Sequence, residues 1–390
     1  MERQVYFDHA ATTRPDPRVV EAMLPYLSEN FGNPLSIYKL GVEARKAVED
    51  AREKVAALIG GRPDGIYFTS SGAEANNMAV KGYAFAGMGK GRHIVASAIE
   101  HQSVLNSLKS LERLGWHYDL VPVDEYGLVD PSEVAETIGD ETVLVSINLA
   151  NQEVGTIEPI AEIAEVVHGA GAKFHVDAVQ AVGHIPVDVE ELGADMLSIS
   201  GHRFYGPKGV GALYVAKGTR VYPIIDGGMQ ERGRRAGTEN VPAIVGLGKA
   251  AEIADEEMGD RSAVIEGVRD YLHDKLFSAV NHIYLNGHPK KRLPTHESVC
   301  IEYIEGEAML LFLSGAGIYS SSGSTCSSKA LKASHVLLAM GVAAAVAQGS
   351  LQLTLGPDNT KDDVDYFIEK LVPIVERLRQ MSPLYPGNQI

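Results

Sequence analysis

The first two-thirds of the chain alternates short, apolar, β-branched runs with stretches of helical periodicity, and this alternation leaves few folds open. Strand candidates are 65–69, 93–97, 142–147, 173–177 and 195–199, with helical patterns at 72–86, 103–114 and 160–170 between them. Such repetition builds an α/β fold with a mostly parallel sheet covered by helices on both faces, because every parallel crossover consumes about a helix of chain. An earlier helix is expected to begin at Asp16-Pro17, where the acid caps and the proline fits the first turn. After about Glu252 the rhythm changes to a long polar helix, 255–277, followed by strand candidates at 283–285 and 298–303. A chain of 390 residues exceeds one average domain. The expected division is a large domain at 15–255 and a small one made of 1–14 and 256–390.

The formal net charge of -16 argues against nucleic acid and against an acidic membrane surface as partners. The most apolar run, 341–347, is too short to span a bilayer, so no membrane association is expected. The opening residues Met1–Tyr6 carry mixed charge without an apolar core, and only two cysteines occur, Cys300 and Cys326. A cytoplasmic location without a disulfide is the expectation. No Cys-x-x-Cys or His-Glu-x-x-His spacing marks a self-contained metal site.

In open α/β sheets the ligand lies beyond the carboxyl ends of the strands, and several polar residues fall there. Asp177 closes the strand 173–177 and Gln180 follows it. A carboxylate at that point can hold a pyridine-type nitrogen protonated; alone, it reads more readily as a strand-end acid satisfied by amides. Ser70–Asn77 follows a strand and opens a helix, so the amides of Gly72 and Ala73 suit an anion. His101 follows the strand 93–97, a placement that also fits a structural, hydrogen-bonded histidine. Cys326 sits in the small polar run 320–328, where a thiolate has room to leave a pocket, whereas Cys300 in an apolar strand reads as core filler.

Together with Ser198–Gly209, these segments resemble the NifS/IscS cysteine desulfurases of the class V aminotransferases. The resemblance covers nearly the whole chain, from Asp8–Thr13 and Phe31-Gly32-Asn33-Pro34 to 378–384. It implies a fold-type I architecture with a seven-stranded, mainly parallel sheet, a small α/β domain, a homodimer, and pyridoxal 5′-phosphate as cofactor. The implied reaction takes L-cysteine to L-alanine and leaves a persulfide on Cys326 for an IscU-like iron–sulfur scaffold protein. Carried over residue by residue, Asp177 meets the ring nitrogen, Gln180 the ring hydroxyl, and His101 stacks on the ring and handles protons. Ser200, His202, Gly72, Ala73 and, from the other subunit, Thr238 hold the phosphate. Asn151 and Gln152 fall in the family's N-N-E-x-G loop, with Asn151 on the substrate side.

The chain departs from the pattern at functional positions. Arg203 stands where the family has its Schiff-base lysine, and a permanently protonated guanidinium does not condense with an aldehyde. Gln352 replaces the arginine that clamps the substrate carboxylate, Ala73 a threonine, and Gln152 an asparagine. Three readings follow: a working desulfurase with its cofactor held non-covalently; a catalytically impaired homologue that docks a scaffold and supplies Cys326 as sulfur relay or as a ligand to a shared [2Fe-2S] cluster; or another activity reusing the pocket.

Overall fold

The structure, a computed structural model, describes residues 3–87, 89–323 and 333–386. Strand β1 (Val5–Tyr6) opens the described chain. The main sheet follows with β2 (Ile66–Thr69), β3 (His93–Ser97), β4 (His117–Val121) and β5 (Thr142–Asn148). It is completed by β6 (Lys173–Asp177), β7 (Met196–Ser200) and β8 (Gly211–Val215). The seven strands lie in the order β2-β8-β7-β6-β5-β3-β4, and only β8 runs against its neighbours. The five expected strands are all present. β4 and β8 lacked a clear signal: β4 is an edge strand with three exposed residues, and β8 sits inside a glycine-rich stretch.

The helical pattern 72–86 is realised with an interruption. A regular helix, Gly72–Asn77, passes into a π turn at Met78–Gly82 before Tyr83–Ala86 closes it. The first helix is Pro17–Met23, and the Asp16 side chain accepts from the Arg18 amide as its cap.

The long helix is Val241–Ala279, starting well before the expected residue 255. Its added first half is apolar, capped by Asn240 and carrying Pro242 in its first turn, and it packs on the helix Lys39–Leu58. Gly248 permits that crossing, since a Cβ there would stand 2.6 Å from Cα of Ala51. The second half turns Ile265, Val268, Leu272 and Leu276 into a separate apolar core with Val5, Phe7, Val299, Leu351 and Phe367. One helix thus touches both the core of the main sheet and that of the C-terminal region. Strands β9 (Ile283–Leu285), β10 (His296–Ile301) and β12 (Ser350–Thr354) form a second, antiparallel sheet there, and β11 (Ile318–Tyr319) pairs with β1. Cys300 is fully buried on β10, with its thiol pushed up to about 11 by burial, as a core residue should be. Among the described residues, no helix is long and apolar enough to cross a membrane.

Candidate active site

Register builds the site. Pairing sets Asn148 at the end of β5 beside Asp177 at the end of β6, and Asp177 beside Ser198 on β7, which ends at Ser200. The turns leaving β2 and β3 bring Ser71–Ala73 and His101 to the same carboxyl edge. All of these but Ser198 enclose a cavity together with Asn76, Gln152, Gln180, His202 and Arg203. Gly72 is essential to its shape: a Cβ there would meet Cγ2 of Val179 at 2.6 Å and Cβ of Ser200 at 3.1 Å.

One polar chain fixes the two sides of the cavity relative to each other. The Asn76 amide donates to Oδ2 of Asp177 (2.6 Å) and to Oγ of Ser103 (2.8 Å). Oγ of Ser103 in turn lies 2.7 Å from Nδ1 of His101, which also accepts from the Ser103 backbone amide at 3.1 Å. A backbone N–H only donates, so Nδ1 is an acceptor and the neutral ring carries its proton on Nε2. Burial holds His101 below the ordinary histidine range, with Arg203 adding to the effect and Asp177 opposing it. The other oxygen of Asp177 accepts from the Val179 amide at 3.0 Å. Asn76 and Ser103 were not singled out from the sequence, although Asn76 lies one helical turn after Gly72 and therefore on its face.

Arg203 projects into this cavity. Its Nε and Nη1 are buried without a hydrogen-bond partner, and desolvation lowers its pKa against the pull of Asp177, Asp8 and Tyr6. Nη1 and Nε of Arg292 share that condition, but Arg292 is ion-paired to Glu297 through Nη2. His202 is pushed down to about 4, chiefly by burial and then by Arg203 and Lys208, so it is neutral at pH 7. Lys208 itself is exposed and outside the cavity lining.

Three expected residues stand elsewhere, and a fourth is not described. Asn151, expected on the substrate side, braces its own loop instead: its amide donates to the Ile99 carbonyl (3.0 Å), and its oxygen accepts from the amides of Glu153 and Val154. Gln352 on β12 donates its amide to the Gln152 carbonyl and its oxygen accepts from Ser321, so it ties two loops together beyond the cavity lining. Thr238 is exposed on the loop after Gly237, outside the lining of its own chain's cavity. Cys326 lies outside the described residues.

The sequence pattern of the aminotransferase class-V family matches residues 5–367. The chain belongs to this family. Class-V relatives include the cysteine desulfurase IscS of Methanosarcina thermophila, 51% identical over 98% of this chain and 95% of its own length. Cysteine desulfurase IscS 1 of Archaeoglobus fulgidus is 52% identical over 97% of this chain and 99% of its own length. Among solved structures, a NifS-like protein superposes with a TM-score of 0.91 at 41% identity, covering 96% of this chain and all of that one. The fold is accordingly the fold-type I architecture of the class-V family, whose cofactor is pyridoxal phosphate.

The cavity fits that cofactor on its own evidence. Oγ of Ser200 and Oε1 of Gln180 are buried acceptors without a partner, and the missing Cβ of Gly72 leaves room between them and the helix start. Asp177 accepts one hydrogen bond at each oxygen, which leaves lone pairs for a ring N–H. When bound, pyridoxal phosphate supplies an electron-withdrawing ring that takes up charge from the substrate's α-carbon. The described residues would bind it through Ser200, His202 and the amides of Gly72 and Ala73, and His101 would hold a proton at Nε2 in the same cavity.

Proposed function

We propose that this chain is a cysteine desulfurase-type protein that holds pyridoxal phosphate without a covalent link and handles L-cysteine in the cavity at the carboxyl edge of the main sheet. The observation that carries the reading is the convergence of Asp177, Gln180, His101, Ser200 and His202 on one cavity whose central basic group is an arginine. In the balanced reaction the substrate's C–S bond breaks, its carbon gains hydrogen to give L-alanine, and the sulfur joins the thiol of Cys326 as a persulfide. An IscU-like scaffold protein is the proposed acceptor, and the cytoplasm the proposed location. Lacking an amine at position 203 removes a general base, a loss of about 10²–10⁴ in rate, so native turnover is slow.

A homodimer completes the site in this reading, with Thr238 of each chain serving the cavity of the other. Its exposure, outside the lining of its own chain's cavity, supports this, as do exposed apolar side chains: Leu27 at 62%, Phe31 at 70%, Ile37 at 93% and Tyr38 at 60%.

The test is reconstitution with pyridoxal phosphate, followed by absorbance and borohydride treatment. The native chain is expected to bind the cofactor reversibly and to yield no borohydride-fixed adduct, whereas Arg203→Lys yields one and produces alanine faster. Cofactor binding that Arg203→Lys leaves reversible, with no gain in alanine, counts against the reading. Cys326→Ser is expected to abolish sulfur delivery to a scaffold while leaving the fold intact; full delivery by that variant would remove Cys326 from the reaction.

A further inference from the structure

We propose that Arg203 is the carboxylate-binding residue of the cavity, receiving the α-carboxylate of an amino acid held against the cofactor; this rests on the cofactor reading above. Among the described residues Arg203 is the only lysine or arginine lining the cavity, and the two lining histidines are held towards their neutral forms.

Three buried arginines are held by carboxylates, while a fourth, Arg379, donates to the carbonyls of Glu302 and Asn281. Arg52 forms a two-pronged pair with Glu231 at 2.8 and 2.9 Å and donates to the Ile66 carbonyl. Arg269 pairs with Glu266 and Asp270, and Arg292 with Glu297. Unlike these three, Arg203 has no ion pair to any described residue, although two of its nitrogens are shut off from solvent. A buried, unpaired guanidinium is costly, and its planar fork of donors matches a carboxylate in geometry and charge.

Two carboxylates act on Arg203 without forming an ion pair with it: Asp8, whose Oδ1 has no partner, and Asp177, which already accepts from Asn76 and Val179 and keeps its remaining lone pairs for the cofactor ring. Gln352 offers no charge, and its amide is spent on the Gln152 carbonyl. The turn bearing Arg203 is also fixed in advance. Nε2 of His184 donates to the Arg203 carbonyl at 2.8 Å, and the Thr13 hydroxyl donates to the His202 carbonyl at 2.9 Å while accepting from the Tyr205 amide at 2.8 Å. A guanidinium on such a turn pays little ordering entropy when an anion arrives.

Two stable ligands that differ only in the carboxylate test this: N-(5′-phosphopyridoxyl)-L-alanine and N-(5′-phosphopyridoxyl)ethylamine. Their dissociation constants from the full, cofactor-free chain are read by calorimetry. The alanine compound is expected to bind tighter by about tenfold or more, the range of a charge-assisted pair. Arg203→Met should erase that preference while leaving the ethylamine compound's affinity within about twofold, which also shows that the variant is folded. Equal binding of the two ligands by the native chain overturns the proposal. So does an Arg203→Met variant that weakens both ligands alike, since Arg203 would then be serving the phosphate. Binding of neither ligand overturns the cofactor reading itself, and this inference with it.

Discussion

Burial of single ionisable side chains governs how this protein responds to pH. Glu100 is fully buried, accepts from Ser97 and from both nitrogens of Asn148, and is pushed up to about 8, mainly by desolvation. Glu153, also buried, is pushed up to about 7. A folded carboxyl that stays protonated while the unfolded chain ionises contributes stability that is full below about 4.5 and is lost as pH climbs to the folded value. His9, His175 and His202 have the opposite sense: each is held near 4, so their share is full above about 6.5 and is lost as pH falls. Between pH 6.5 and 8 the carboxyls therefore decide the slope. Stability is expected to fall by about 1–2 kcal/mol over that window, and Glu100→Gln should flatten the fall, as read from urea midpoints. The unpartnered Oε2 of Glu100 is where the glutamine amide fits. At the same scale, Ser103 sets the tautomer of His101. Its backbone amide alone suffices for this, so Ser103→Ala should keep the Nε2–H form, whereas Ser103→Pro should release it, in ¹⁵N spectra of the ring. Proline is tolerated there because Ser103 lies in the first turn of the helix Gln102–Glu112.

At the scale of elements, the cavity depends on close approach between the start of one helix and the strands beside it. Gly72→Val fills the space against Val179 and Ser200. It should cost about 1–3 kcal/mol in stability and weaken pyridoxal phosphate binding more than tenfold, and Val179→Ala should recover part of both. Recovery of neither, measured by thermal unfolding and spectrophotometric titration, would show that Gly72 serves a purpose other than space. The π turn at Met78–Gly82 is the element least legible beforehand. Its residues keep a helical pattern of apolar side chains, and periodicity does not register one extra residue in a turn.

At the scale of the molecule, the exposed apolar side chains around Phe31 and Ile37 call for a cover, and a second copy of the chain is the proposed one. Light scattering is expected to give twice the 41.9 kDa of one chain. Ile37→Asp should shift it towards the single mass and, if Thr238 serves the neighbouring cavity as proposed, weaken cofactor retention at the same time. Dissociation with unchanged cofactor affinity would separate Thr238 from the site. The division of the chain at 15–255 is a proposal of the same scale. The continuity of Val241–Ala279 across both apolar cores predicts that proteolysis cuts outside this helix, not at residue 255.

The sequence by itself determined five of the seven main-sheet strands and much of the cavity lining. Alternating apolar runs point to mostly parallel strands whose functional edge is the carboxyl one, so Asp177, His101 and Gly72 stand out by position along the chain, while Ser200 is marked by the family resemblance. It also showed that an arginine, and not an amine, occupies position 203. Only the tertiary structure decided that Asn151 faces its own loop, that Gln352 ties Gln152 to Ser321, and that Asn76 and Ser103 link Asp177 to His101. These are choices among hydrogen-bond partners distant in sequence. Asn, Gln and Ser side chains satisfy themselves with whatever donor or acceptor packing brings near, and no local pattern encodes which one that will be.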